Sequence, residues 1–516
     1  MDQISDKGAK GWFRPDLVWW LIGLGVAIRL AFLGVLNLFP EEAYYWNYSR
    51  HLDIGYLDHP PMVAWTIHAS EWLLGRSEFA VRLPAFLSWF VMAFFMYRLT
   101  VEIVDRKAGR VVLLLLAALP IYLSVGFMMT PDAPLYAAWA ACLYFLYRAL
   151  INERNSAWWW AGLSLGLGLF SKYTMGLIVP AAFIFMLVDR PSRRWLRRPE
   201  PYLALVIAAL VFSPVIYWNY LHDWASFAFQ GSRRWSGGMH FSLHLLLGSI
   251  LVLLTPVGAY VAYRAMRVAW RTLRQRYGPI ETVRQHLFMM VFTVVPLAVF
   301  VFHSLQGQPK LNWTGPVWLA LLPLMAVALR QTHAAAKPVR EGTSRLLVTT
   351  AAVLLILYTG AFGYVAVGTP GLSLGKGMKL PTAWRAMGER VDQIEERIEH
   401  ETGSEPMIVG LDQYWIASQL AFYDDDDWQP RDQDEGPETG SAELFGRNSL
   451  MWNVWSTPQI ATSRNVLLIS FSASELDHSW ITRHFESVGP VNEEVLGDAG
   501  DGSPRFYWRF ARKYRE

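Results

Sequence analysis

The sequence predicts a polytopic α-helical membrane protein with about eleven transmembrane helices, followed by a C-terminal soluble α/β domain. Three observations carry this. The 516 residues are 53% hydrophobic and only 17% charged, with a mean hydropathy of +0.21, whereas soluble domains run at about 45–50% apolar and about 25% charged. Eleven apolar runs approach the roughly 20 residues that a bilayer-spanning helix needs. The basic residues alternate between the connections that join those runs. Aromatic residues reach 15%, with 25 Trp, which suits a chain that meets many membrane–water interfaces. Disorder is excluded for the bulk of the chain. A disulfide scaffold is excluded as well, because Cys142 stands alone in an apolar run.

The apolar runs are 17–39, 80–99, 111–129, 132–150, 157–171, 174–188, 202–220, 243–263, 286–303, 314–329 and 346–367. The first is too long for a cleaved signal peptide, and no small-residue cleavage site follows it. Even-numbered connections carry 19 Lys and Arg, among them Arg190, Arg193, Arg194, Arg197 and Arg198; odd-numbered connections carry 7. Cytoplasmic loops hold the excess of positive charge. The N-terminus is therefore expected in the cytoplasm, and the chain after the eleventh run outside, at the inner (plasma) membrane. The Arg190–Arg198 loop reads as this orientation signal rather than as a nucleic-acid patch, so no nucleic-acid partner is expected. Residues 1–367 form the expected membrane domain, with outer-loop interfacial helices within 40–79, and 368–516 form the periplasmic α/β domain.

That tail opens with Gly368, Pro370, Gly371 and Gly375, a linker composition. Residues 382–400 show apolar residues at helical spacing; 406–410 and 465–471 read as buried strands, and 413–423 as helical. Asp424–Asp427 and the acidic stretch to Glu443 read as a solvated loop, with calcium binding the alternative. The D-x-D within it lies on the wrong side of the membrane for nucleotide sugars. Gly371–Gly377 lacks Walker spacing, and no zinc or serine-hydrolase pattern is present, so an ATP-driven pump is unsupported.

The polar residues that remain cluster on the outer connections. The first outer loop carries Glu41, Glu42, Tyr44 and Tyr45, then Asp58, His59, Pro60 and Pro61. Proline fixes φ, so Asp58 sits on stiff backbone. Segments 41–52 and 62–74 read as aromatic, amphipathic helices in the interface. Asp132 lies between Pro131 and Pro134; Lys172 lies between two apolar runs; His222, Asp223, Arg233 and Arg234 follow, and then His303 and Lys310. Ionisable groups at membrane depth are costly and mark function. Carboxylates with cations suit a base that activates an acceptor beside a cradle for an anionic phosphate.

In order along the chain, Glu41–Glu42 with Tyr44–Tyr45, Asp58–His59–Pro60–Pro61, Arg82–Leu83–Pro84, Thr130–Pro131–Asp132, Ser171–Lys172–Tyr173–Thr174, His222–Asp223–Trp224 and Lys310–Trp313 resemble the motifs of the family 39 and family 83 membrane glycosyltransferases. That group includes protein O-mannosyltransferases and the transferase that moves 4-amino-4-deoxy-arabinose onto lipid A. The likeness covers about residues 1–330. It implies a C-type glycosyltransferase fold with an outward-facing active site and a polyprenyl-phosphate-linked sugar donor. Glu42 matches the second acidic residue of the first loop; Glu41 stands where the family usually has Asp. Asp58 matches the acidic residue before Pro-Pro, and His59 replaces a phosphate-contacting lysine, leaving Lys172, Arg233 or Arg234, and Lys310 to carry more of the phosphate. The resemblance also implies a metal held by a Glu and a His, for which Asp58 and His222 are the matching positions.

The expected function is transfer of a sugar from a polyprenyl-phosphate carrier, most simply undecaprenyl phosphate, to lipid A, another envelope glycan or lipid, or a protein hydroxyl. Glu41, Glu42 or Asp132 would orient or deprotonate the acceptor, and the cations would stabilise the leaving phosphate. Tyr44 and Tyr45 would line the substrate site. A transporter or flippase is the alternative; its signals, inverted repeats and broken helices at the midplane, are not evident. A scaffold for envelope assembly, using the tail as a binding module, is a third class.

Overall fold

The computed structural model describes residues 15–231, 241–275, 278–308, 310–330, 340–367, 380–423, 439–496 and 504–516. Arg233, Arg234, the 368–375 linker and the Asp424–Asp427 run lie outside the described residues. The chain forms two compact units. One comprises 1–31, 84–127 and 131–359; the other comprises 32–83, 128–130 and 360–516.

Each of the eleven apolar runs is largely helical. Five described helices are long and apolar enough to cross a membrane: Glu78–Ile103, Glu200–Leu221, Leu243–Gln275, Ile280–Ser304 and Leu347–Ala366. Tyr173–Val188 and Pro191–Arg197 form a pair bent by 118°. The 17–39 run does not stay helical: the helix Pro15–Phe32 ends seven residues early, before Pro40 opens the next helix. The 111–129 run is likewise two pieces, Arg106–Ala118 and Pro120–Val125.

Proline explains that second break. Pro120 has no N–H for the carbonyl of Leu116. Trp89 Nε1 donates to that carbonyl at 3.1 Å and Arg29 Nη2 at 3.3 Å. Arg29 also donates to the carbonyls of Gly25, Ala117 and Tyr122. Its guanidinium lies 4.7 Å from the Trp89 ring centre. Tyr358 donates to the Ala118 carbonyl at 3.0 Å. A charge in the first apolar helix is therefore spent on a broken span, since unpaired backbone groups are costly where water is scarce.

Close packing elsewhere uses small residues. Gly162 and Gly166 share one face of Ala157–Ser171; a Cβ on Gly162 would lie 2.4 Å from the Ala204 carbonyl oxygen, and one on Gly166 3.0 Å from Ala208 Cα. The helix thus rides directly on the backbone of Glu200–Leu221, as small-xxx-small faces do in membranes.

The second unit joins the first outer loop to the tail. Its sheet runs β2-β1-β3-β6-β4, with β5 also on β6: β1 Met407–Gly410, β2 Thr439–Gly440, β3 Val466–Ser470, β4 Phe485–Val488, β5 Asn492–Val495 and β6 Arg505–Tyr514. β1 is parallel to β2 and β3; β6 is antiparallel to β3, β4 and β5. The helix Leu380–Thr402 packs one face of the sheet through Trp384, Met387, Val391, Ile394 and Ile398, spaced three and four apart. Met407, Val409, Leu468 and Tyr514 belong to the core on the other face.

Three sequence expectations change here. The helix Pro40–Arg50 buries eight consecutive residues, Glu42–Ser49, so it is a core helix of this unit rather than one lying in a membrane interface. Asn47 Nδ2 donates to the Ser418 carbonyl at 3.2 Å, Gln419 Nε2 to that of Leu38 at 2.8 Å, and Trp46 meets Phe422 edge-on. The 40–79 loop therefore packs with the tail, where the sequence division grouped it with the spans. Met62–Leu74 keeps Trp65, Trp72, Leu73 and Leu74 exposed. Glu443 is not part of a solvated loop: it is buried, and it accepts from Ser441 N and Ser456 Oγ.

Candidate active site

Two clusters gather the predicted residues, one in each unit. In the unit that contains the tail, Glu42 begins a helix whose first turn is capped by its own carboxylate: Phe39 N donates to Oε2 at 3.0 Å. Arg82 grips the same carboxylate through Nε at 2.9 and 3.1 Å and Nη2 at 2.7 Å. Met129 N donates to Oε1 at 2.9 Å. The other Arg82 donors reach the carbonyls of Leu33, Leu36 and Asn37. Both side chains have no exposed surface. The pair clamps the end of the first helix, and the expected role of Glu42 as a base has no free lone pair to use in this arrangement.

Glu41, one residue earlier, is half-buried and its carboxylate has no hydrogen-bond or ion-pair partner among the described residues. Its charge, with that of Asp58, adds to burial in pushing the Tyr414 hydroxyl up to about 12. Tyr414 packs on Tyr44 at 4.6 Å. Asp58 Oδ1 accepts from the hydroxyls of Tyr44, at 3.2 Å, and Tyr48. The Tyr44 hydroxyl lies 3.2 Å from that of Tyr48 and accepts from Met451 N at 3.2 Å. Burial, and then the Asp58 charge, holds Tyr44 and Tyr48 well above the ordinary tyrosine range, so both remain protonated donors. Tyr45 meets His59 edge-on at 5.7 Å.

In the other unit, Asp132 opens the helix Asp132–Leu150. Lys172 sits in extended backbone between Ala157–Ser171 and a 3-10 turn. Lys172 Nζ donates to Asp132 Oδ1 at 2.8 Å, Asn312 Nδ2 donates to Oδ2 at 2.5 Å, and Ser171 Oγ donates to the Pro131 carbonyl at 2.6 Å. Three outer motifs thus converge on one carboxylate. Gly315 lets the third approach: a Cβ there would lie 2.8 Å from Tyr136 Cζ. Lys310, two residues before Asn312, is exposed. His222 caps a helix end, with Nδ1 2.8 Å from the Trp218 carbonyl and its ring stacked on Trp218 at 4.0 Å. Asp223 and Trp224 both take φ near +55° (52° and 58°), a strained turn that side-chain-bearing residues rarely adopt.

Among the described residues no three His, Cys, Asp or Glu side chains gather to hold a metal. With Nδ1 donating to a carbonyl, His222 keeps Nε2 for a ligand, and the two hydroxyls orient Asp58, as second-sphere groups do for metal ligands. Asp58 and His222 belong to different units.

Arg82, Tyr48 and Asn312 are the residues that the sequence reading left unassigned. Arg82 and Asn312 stand within quoted motifs, and Tyr48 repeats Tyr44 at i+4 on one helix face.

Residues 58–218 match the family described as dolichyl-phosphate-mannose-protein mannosyltransferase. The chain is 26% identical over 288 residues to the lipid A galacturonosyltransferase RgtD of Rhizobium johnstonii, covering 55% of this chain and 59% of that protein. It is 27% identical over 307 residues to the undecaprenyl phosphate-alpha-4-amino-4-deoxy-L-arabinose arabinosyl transferase of Erwinia tasmaniensis, covering 54% and 51%. The match thus spans only about half of the length of these relatives. Crystal structures of ArnT from Cupriavidus metallidurans superpose with TM-scores of 0.65 in the apo state and 0.63 bound to undecaprenyl phosphate, at 14% and 16% identity, each covering 96% of this chain and 98% of ArnT. The chain thus has the C-type fold of these polytopic membrane structures, and its sequence is similar over about half its length to transferases of the family 39 and family 83 kind.

Proposed function

We infer that the chain is an inverting glycosyltransferase that moves a sugar from a polyprenyl-phosphate carrier to a hydroxyl or phosphate of an envelope acceptor. The convergence of Asp132, Lys172 and Asn312, a buried cation held by one carboxylate on motifs shared with lipid-carrier transferases, carries the reading. The acceptor oxygen attacks the anomeric carbon, its proton passes to Glu41, and the bond from that carbon to the phosphate oxygen breaks. Lys172, with Lys310, Arg233 and Arg234, neutralises the charge that develops on the leaving polyprenyl phosphate. Asp58, held by two tyrosine hydroxyls, orients the donor with His59, Tyr44 and Tyr45. A bound divalent ion would add Lewis-acid charge beside that phosphate; no step above depends on it. The reaction belongs on the outer face of the inner membrane, with the N-terminus cytoplasmic and the tail periplasmic, as the arginine distribution favours. Lipid A or core lipopolysaccharide is the acceptor class that the relatives' names favour.

The test is mass spectrometry of envelope lipids and glycans from a deletion strain carrying wild type, Glu41→Gln or no copy, at matched membrane levels. A sugar increment present with wild type and reduced at least a hundredfold with Glu41→Gln supports the reading. Unchanged transfer by Glu41→Gln removes Glu41 as the base. An unchanged glycome with a lipid-linked precursor retained on the inner leaflet favours a flippase instead. Addition of EDTA to the same assay in membranes reads metal dependence directly.

A further inference from the structure

Remote from the residues assigned to chemistry, the membrane unit holds an apolar cavity of about 130 Å³. It lies among Ala157–Ser171, Ile178–Val188 and Glu200–Leu221, at the ends that carry the arginine-rich turn Pro191–Arg197. Gly162 and Ala204, the close-approach pair, belong to its lining. Phe183, Tyr202 and Leu205 also line it and are 51%, 53% and 43% exposed, so the cavity opens sideways, where lipid chains would lie. Apolar cavities of about this size, roughly 150 Å³, stay dry and take apolar ligands.

Its polar features are uncompensated. Trp158 and Trp195 line the cavity and are 3% and 0% exposed. Both indole N–H groups are buried without an acceptor, which costs free energy comparable to a lost hydrogen bond. Beside them, Arg194 pairs with Glu153 and Arg198 with Glu200. Arg190 and Arg197 are exposed and have no acidic partner among the described residues. Arg190 precedes the 3-10 turn Pro191–Arg197 and Arg197 closes it, both exposed, while Trp195 between them is buried.

Apolar walls beside two uncommitted guanidiniums call for a ligand with an aliphatic chain and negative charge. The geometry points to a site for an anionic phospholipid, part of one acyl chain in the cavity and its phosphate on Arg190 and Arg197, acting as a structural lipid for these helices and for Asp132–Leu150, whose Cys142 and Leu146 also line the cavity. Arginine favours phosphate through its planar fork. The inference stands independently of the sugar-transfer reading, since it uses none of the residues assigned there.

The test uses the full chain in phosphatidylcholine vesicles doped with phosphatidylglycerol that carries a photoreactive acyl chain, followed by irradiation and peptide mapping. Adducts on 178–186 and 202–205 are expected. Arg190→Gln with Arg197→Gln should lower them at least threefold while adducts elsewhere hold constant, and Ala182→Phe should abolish them by filling the cavity. Photoreactive phosphatidylcholine should label the same peptides at least threefold less. Equal labelling by both lipids, no effect of the arginine variants, or no adduct at the cavity overturns the inference. So does displacement of the label by stoichiometric undecaprenyl phosphate, which would assign the cavity to the carrier's tail.

Discussion

Two buried ion pairs, Glu42–Arg82 and Asp132–Lys172, look alike in sequence, since each joins an acidic residue to a cation 40 residues on. Their surroundings differ. Arg82 spends its guanidinium on one carboxylate and three carbonyls, and Glu42 receives two further backbone donors. Neither side chain has exposed surface. Lys172 makes one contact among the described residues, its side chain keeps 11% exposure, and an ammonium has three donors. A saturated pair holds the chain in place. An unsaturated one keeps donors for a ligand. Motif identity does not separate the two; the count of committed lone pairs and protons does.

The largest expected effect comes from breaking the saturated pair. Arg82→Ala leaves a buried carboxylate without its counter-ion and three carbonyls without their guanidinium donor. Removing one partner of a buried pair costs about 3–5 kcal/mol. The variant should fail to give a monodisperse detergent-solubilised protein by fluorescence-detected size exclusion. Arg82→Lys should fail nearly as badly, because a lysine cannot reproduce the forked contact. A stable, active Arg82→Ala would erase the distinction between the pairs.

The unsaturated pair should break differently. Lys172→Met should lower the transfer rate by about 10²–10³-fold, the usual cost of removing a group that stabilises developing charge. Part of the loss of stability should be recovered in Lys172→Met with Asp132→Asn, where no lone charge is left buried, but the rate should not return. The discriminating measurement sets the thermal midpoint of both variants against the turnover of a polyprenyl-phosphate sugar. A rate that recovers together with the midpoint would make Lys172 a structural cation like Arg82.

Much of this arrangement was legible before the structure. Apolar periodicity locates the helices, because a bilayer demands long apolar runs, and the outer-loop motifs locate the polar clusters. What the sequence hid follows from non-local contact. Pro40–Arg50 reads as an interfacial helix by its aromatic content, yet Tyr44, Trp46 and Tyr48 are buried against the tail some 370 residues later, which no local pattern encodes. The break at Pro120 is visible in sequence, but its repair by Arg29 and Trp89 is not. Glu41 and Glu42 are chemically equivalent neighbours on paper, and the roughly 100° of helical rotation between them separates a saturated carboxylate from one without a partner among the described residues.

The smallest effect sharpens the same criterion in the tail. Asp412 accepts from Trp415 N at 2.8 Å and Ile416 N at 3.0 Å at the start of Trp415–Tyr423, the helix on which Pro40–Arg50 packs. Burial nonetheless raises its carboxyl to about 6 from an ordinary 3.8. The folded state therefore binds the proton more tightly than the unfolded chain does. This group favours folding most at low pH and loses that contribution as pH rises from about 4 through 6. The thermal midpoint of wild type should fall across that window by a few degrees more than that of Asp412→Asn, in which nothing titrates and the amide oxygen still caps the helix. Parallel pH profiles for the two proteins would mean that the backbone donors fully offset the burial of Asp412.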